Sequence, residues 1–422
     1  MKYSFTILLL GGAFAVQAQT KKVDTLPAPF ATKSVTNFSN VIGWEEGQTP
    51  KAPDGLKVTL YADGFENPRW MYVLPNGDVV VAESNSNYSA VKKVGATVIG
   101  ASKSNNLENS ADRITLLRDA NKDGIPEGRF TFLEDLKQPF GMLVIGNWFY
   151  VANTDALMRY PYKRGDTRIT GAGQKILDLP AGKHNQHWTR NIVYNPTTKK
   201  IYIAIGSGSN IAEHGIDDEI LKATILTVNP DGSNRQIYAS GLRNPVGLDW
   251  APGTNVLWTT VNERDELGDD LVPDYLTSVK EGGFYGWPYS YWGQHVDPRV
   301  EVQKPELVKK AIVPDVDLGA HTASLGLAFY TKTAFPAKYH NGAFIAQHGS
   351  WNRSVLSGYK VVFVPFKNGK PAGPMEDFLT GFIADIEKDK VHGRPVGVTV
   401  TPDGALLVTD DKTNRIWRVA AK

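Results

Sequence analysis

NPRWMYVLPNGDVVVAE, residues 67–83, is an apolar run, a Pro-Asn-Gly-Asp turn and a second apolar run. The same design returns as QPFGMLVIGNWFYVANT at 138–154, HWTRNIVYNPTTKKIYIAIGS at 187–207 and NPVGLDWAPGTNVLWTTVNE at 244–263. It returns more loosely as ASLGLAFYTKTAFPAKYHNGAFIAQ at 323–347, and finally as RPVGVTVTPDGALLVTDD at 394–411. Turn-forming residues between β-rich runs are hairpin signals. Successive copies start 49 to 79 residues apart, and a sheet unit repeated at that interval predicts blades around a central channel. The expected fold is therefore all-β, a six-bladed β-propeller over residues 53–422. A pair of β-sandwiches would not explain why each copy opens on a similar proline or small-residue motif. No long segment shows helical periodicity, so helices should be few and short.

Ahead of the repeats, MKYSFTILLLGGAFAVQAQT carries one basic residue, an apolar stretch and the small-residue sequence Val16-Gln17-Ala18. This predicts a signal peptide over residues 1–18, a polar leader over 19–52, and export to the periplasm or beyond. The apolar stretch is shorter than the ~20 residues a membrane span requires, so no span is expected in the mature chain. The chain has no cysteine, which excludes disulfides, thiolate nucleophiles, Cys-bound metal and covalent haem. Any redox role then needs a dissociable cofactor and a separate electron acceptor. The net charge of +2 gives no reason to expect nucleic acid as a partner.

In a propeller, ligands sit where loops of several blades converge at one end of the channel. The starts of the copies hold His187 with Arg190, Arg243 with Asn244, His321 with Thr322, and Arg394. One imidazole among guanidinium groups suits an anionic ligand whose reaction includes a proton transfer; the alternative is that these side chains cap carbonyls between blades. His184 and His187 are three residues apart, and in a strand only one of them would face the site. VNERDELGDDLVPDYLTSV, 261–279, holds six acidic residues and one Arg; it reads either as a Ca²⁺-holding loop or as a solvated one. DANKDGIPE from Asp119 imitates half of an EF-hand, but Phe130 stands where the bidentate Glu belongs, so a tight turn is the expectation. In GGFYGWPYSYWG, 282–293, Trp287, Tyr289 and Trp292 are candidates to stack on a flat ligand.

These pieces resemble the soluble pyrroloquinoline-quinone-dependent sugar dehydrogenases, in particular their sorbosone-dehydrogenase-like branch. The resemblance rests on HWTRNIVY (187–194), IAIGSGSN (203–210), GLRNPVGLDW (241–250) and the acidic and aromatic stretches just quoted. It continues through HTASLGLAFY (321–330), GSWNRS (349–354), SGYKVVFVPF (357–366) and GRPVGVTVTPDG (393–404). It implies a propeller that binds the quinone and Ca²⁺ at the channel mouth and oxidises an aldose or related sugar or aldehyde. His187 would be the general base, with His184 as its competitor, and Arg243 and Asn244 would lie by the reactive carbonyl. Arg394, Arg353, His321 and Trp287 would hold the cofactor. Asn262, Glu263 and Arg264 would offer Ca²⁺ main-chain oxygens, with Asp269 or Asp270 near the ion. The family's Gly-Pro pair at the Ca²⁺ loop is replaced here by Asn-Glu-Arg-Asp, and in place of its fifth-blade Lys the nearest cations are Arg353 and Lys360. A Ca²⁺-dependent lactonase and a non-catalytic binding propeller are the alternatives the fold itself leaves open.

Overall fold

A computed structural model describes residues 26–87, 90–98, 100–104 and 107–422; the expected signal peptide, 1–18, lies outside them. Among the described residues the six repeats become six antiparallel four-stranded blades, one of them extended by a fifth strand, Gly283–Phe284, that pairs parallel with Gln236–Ser240. The first blade runs Pro68–Val73, Val79–Glu83, Arg113–Arg118, Gly128–Leu133. The other five begin at Met142, Ile192, Asn244, Ser324 and Pro395. Second strands such as Val79–Glu83, Ala343–Gln347 and Leu406–Asp410 are buried at every position. A strand stacked between two neighbouring blades has no solvent face, which is why these runs read as continuously apolar rather than alternating. Outer strands such as Gln174–Asp178 are half exposed.

The ring is closed by strand exchange between the ends of the chain. Leu56–Ala62 pairs antiparallel with Arg415–Ala421, so an N-terminal strand completes the last blade. No blade edge is left between first and last, and neither end can peel away without opening the ring. Helices are short, as expected: among the described residues the longest is Ala90–Val98. No helix of the described residues is long and apolar enough to cross a membrane.

Hairpin register decides where function can lie. Pro68 pairs with Glu83, Asn244 with Asn262, Ser324 with Gln347 and Pro395 with Asp410. The start of each first strand therefore meets the end of each second strand on one face. Two segments outside the blades also reach this face. An insert, 84–112, joins the second and third strands of the first blade. The leader crosses from the fourth blade to the sixth, where Asn40–Val41 pairs with Lys390–Val391. Trp44 anchors it: the ring is buried against Trp417 at 5.0 Å, and its Nε1 donates to Asp410 Oδ2 at 2.9 Å.

Candidate functional site

The segments before the first strands and after the second strands form a continuous circuit of contacts around the mouth. Arg394 Nε donates to the carbonyl of His348 at 3.1 Å, and His348 Nε2 lies 3.0 Å from Asp411. Asp411 pairs with Arg69, whose guanidinium stands 5.7 Å from the Trp188 ring centroid. Next to Trp188 is His187, held by Ser207, whose N–H donates to the carbonyl of Arg243. Arg243 pairs with Asp265, which faces His321. The circuit closes where His348 N–H donates to Ala323 O. His187, Arg243, His321 and Arg394 thus share one end of the molecule although they span more than two hundred residues of sequence.

His187 does not sit in a strand, as the spacing argument assumed, but in a bend before Ile192–Asn195. Its Nδ1 is 2.9 Å from Ser207 O and 3.0 Å from Ser207 Oγ, whose hydroxyl is itself directed to Ser209 O. A carbonyl can only accept, so Nδ1 carries the proton and Nε2 keeps its lone pair. Burial, the charge of Arg243 and that of Arg190 push the ring down to about 3, against the carbonyl of Ser207 and the charge of Asp265. The imidazole is therefore neutral, with Nε2 open as an acceptor, while the same burial and cations disfavour its protonated form. His184 lies on the rim instead, stacked on His214 at 3.7 Å with Nδ1 3.2 Å from Asp218.

Arg190, grouped with the site by its place in the repeat, is fully buried behind it. Its guanidinium donates to the carbonyls of His187, Thr189 and Pro180 and to Asn185 Oδ1. It clamps the His187 bend rather than facing a ligand.

Arg243 is buried, and burial draws its pKa down against the pull of Asp265 and Glu263. Its Nε donates to Asn210 O (3.1 Å), Nη1 to the carbonyls of Asn262 (3.4 Å) and Glu263 (2.6 Å), and Nη2 to Asn210 Oδ1 (2.8 Å) and Asp265 Oδ2 (3.2 Å). Asn210, which the sequence did not single out, also accepts from Trp287 Nε1 at 2.9 Å, so the aromatic candidate joins the mouth through it. Asn244 donates to Asn262 Oδ1 at 3.4 Å, while its own Oδ1 is buried without a partner. Gly206 lies against both neighbours: a Cβ there would be 2.5 Å from His187 Cβ and 2.6 Å from Asn244 Oδ1.

The acidic stretch divides into three parts. Glu263 and Asp274 are buried within the blade, and Asp274 is raised to about 7 by burial. Arg264 is fully buried too, donating to Glu263, Asp297 and the carbonyls of Pro288 and Ser290. What Asn262 and Glu263 turn toward Arg243 is main-chain oxygen. Asp265 faces the mouth; burial opposes its charge, but His321 and Arg243 hold it below the usual carboxylate range. His321 has Nε2 2.9 Å from Gly268 O and Nδ1 3.4 Å from Asp265; the Asp265 contact overcomes burial and raises the ring. Asp269 and Asp270 lie on the exposed rim, where Asp269 binds Ser354 and Asp270 pairs with Arg353 at 2.8 Å. Arg353 is thereby drawn to the rim, and the fifth blade's contribution to the circuit is His348. Burial and Arg394 push His348 down to about 4. Three guanidiniums and the raised His321 thus line the mouth, with Asp265 and Asp411 as the low-pKa carboxylates among them.

Among the described residues, the group of three carboxylates close enough to share an ion is Asp119, Asp123 and Glu127. It lies in the hairpin loop joining Arg113–Arg118 to Gly128–Leu133, on the face opposite the mouth. Asp119 there accepts from the N–H groups of Asp123 and Gly124, and with Arg118 paired to Gly128 the connection is a nine-residue loop, not the tight Asp-Gly turn expected.

The sequence matches the TrAA12-like family profile over residues 50–276 and 295–422, most of the chain and every blade. The chain belongs to the TrAA12-like family. Family AA12 of Trichoderma reesei carbohydrate-active enzymes has a solved structure that superimposes with a TM-score of 0.72 at 19% identity, covering 92% of this chain and 100% of that one. The holo pyranose dehydrogenase PQQ domain of Coprinopsis cinerea gives 0.70 at 18% identity over 91% and 100%. At these identities the likeness shows a shared fold. Aldose sugar dehydrogenase YliI of Escherichia coli is 30% identical over 264 residues, 60% of this chain and 59% of that protein. This TrAA12-like chain therefore shares its fold with proteins whose names include pyranose, glucose and aldose sugar dehydrogenases.

Proposed function

We propose that this chain oxidises an aldose, or a related sugar or aldehyde, by hydride transfer to Ca²⁺-bound pyrroloquinoline quinone (PQQ). The observation that carries the reading is a half-buried neutral imidazole, His187, with its Nε2 lone pair free, inside a mouth lined by Arg69, Arg243 and Arg394. A lone base would serve many reactions. A base among three guanidiniums suits a ligand that carries several carboxylates, and guanidinium forks match carboxylates better than ammonium does.

The residues present fit both groups. Asn244 Oδ1 is a buried polar atom without a partner, and Gly206 beside it has no room for a side chain. Arg69 and Arg394 would hold quinone carboxylates, with Arg243 and Asn244 at the reactive carbonyl and Trp287 alongside. Main-chain oxygens of Asn262 and Glu263, with Asp265 beside them, are the donor type Ca²⁺ takes; both accept from Arg243, so they would hold the ion through their second lone pairs. When bound, the quinone accepts the hydride and Ca²⁺ acts on it as a Lewis acid. The protein's own work is then positional. Ser207 fixes the tautomer of His187, so that Nε2 receives the hydroxyl proton of the sugar. Arg243, locked by Asn210 and Asp265, offers positive charge that need not reorganise as charge develops nearby. Electrons would leave to a separate carrier, and export would follow from residues 1–18.

A propeller lactonase would place its metal on side-chain carboxylates at the channel, whereas among the described residues the three carboxylates close enough to share an ion lie at the opposite face. The experiment adds PQQ and Ca²⁺, singly and together, to apoprotein with a dye acceptor and a panel of aldoses. Dye reduction only with both additions supports the proposal; lactone hydrolysis with Ca²⁺ alone would replace it.

A further inference from the structure

The leader does more than bridge to the first strand. Residues 30–34 lie along the loop 266–270. Phe30 N–H donates to Leu267 O at 2.9 Å, Gly268 N–H to Ser34 Oγ at 3.1 Å, and Asp269 N–H to Thr32 Oγ1 at 2.7 Å. Asn352 binds the same two segments from the other side: its Oδ1 accepts from Glu266 N–H at 2.8 Å and its Nδ2 donates to Val35 O at 3.3 Å. The approach is close. Gly268 has φ +114°, and a Cβ there would lie 2.8 Å from Thr32 Oγ1 and 3.0 Å from Thr32 O.

The carbonyl of this same Gly268 accepts from His321 Nε2 at 2.9 Å. His321 Nδ1 faces Asp265 Oδ1 at 3.4 Å, and Asp265 Oδ2 faces Arg243 at 3.2 Å. The loop has little of its own to hold this geometry. Glu266 takes φ +71°, outside the favoured region for its type, and on the rim side Arg353 and Ser354 hold only Asp269 and Asp270, through Asp269 O and the two carboxylates. External hydrogen bonds to its backbone N–H groups supply the missing constraint.

We propose that Thr32 and Ser34 are positioning residues of the mouth: by fixing Gly268 they set His321 and, through Asp265, the orientation of Arg243. The consequence for turnover rests on the dehydrogenase reading above; the consequence for His321 does not. The test uses the full chain with Thr32→Ala/Ser34→Ala, Gly268→Ala, and Thr32→Ser as the conservative variant. The first readout needs no cofactor: the His321 ring N–H resonance of the apoprotein by NMR. It should be unchanged in Thr32→Ser and shifted or broadened in the other two. In the reconstituted protein the double variant should lose about ten-fold in kcat with KM little changed, as expected for a misplaced catalytic group. Should Gly268→Ala fail to fold, the double variant, which removes only two hydroxyls, decides alone. An unchanged His321 signal in the double variant overturns the proposal, as does a shifted signal with unchanged kcat. If wild-type protein turns over no sugar with PQQ and Ca²⁺, the functional reading has failed, and the NMR result still judges the positioning.

Discussion

His187→Ala separates catalysis from folding more cleanly than any other change at the mouth. The ring is half-buried and makes its hydrogen bonds through Nδ1 to Ser207 alone. Deleting it costs one such bond, about 1 kcal/mol of stability. General-base loss is far larger, ~10²–10⁴ in kcat, or about 3–5 kcal/mol of barrier. The assay is pre-steady-state dye reduction at saturating sugar, with turnover normalised to bound quinone by its absorbance. Because burial and Arg243 bring the ring to about 3 in the apoprotein, it is neutral across the physiological range. The loss should therefore be as large at neutral pH as under mildly alkaline conditions. His184→Ala, on the rim with His214 and Asp218, should keep nearly full turnover. Retention of more than about a tenth of kcat by His187→Ala, or collapse of turnover in His184→Ala, would refute the assignment of the base.

Arg394→Ala should weaken quinone affinity measured by calorimetry while leaving the Ca²⁺ affinity of the apoprotein intact, because its partners are Ser104 and the carbonyls of His348 and Gly349. Gly206→Ala should abolish turnover and lower the melting temperature, since its Cβ would press on both His187 and Asn244. The apoprotein should lose stability on acidification. His348 is lowered to about 4 in the fold, against ~6.5 in an unfolded chain. Between these values the unfolded chain binds more protons, so the contribution is complete above the higher one and falls away as pH drops toward the lower. Denaturant melts across that window should show a slope that flattens in His348→Gln; an unchanged slope would reject the cause.

The blades were legible because turn residues separate β-rich runs, and the starts of the first strands led directly to His187, Arg243, His321 and Arg394. The other half of the circuit lay inside the quoted repeats or one residue beyond them but was unread. His348 follows the end of the fifth second strand and Asp411 the end of the sixth, the position Glu263 holds in the fourth. Applying one offset to all six copies would have exposed them. Arg69 stands inside the first copy, in the strand Pro68–Val73, where nothing in the repeat marks it as facing the mouth. Arg190 looked like a ligand-facing cation because its number, not its direction, is what a repeat reveals. The insert and the leader carry no periodicity; their course is fixed by long-range contacts such as Ser39 to Ser104 and Trp44 to Asp410. Such contacts leave no local pattern in a sequence.

The most direct test of the account is a calorimetric titration of PQQ into purified apoprotein, with and without Ca²⁺. The account predicts a single saturable site that tightens with Ca²⁺, weakens with salt as ion pairs are screened, and is weakened in Arg394→Ala. Absence of binding under both conditions, or binding indifferent to Ca²⁺ and to Arg394, would contradict it.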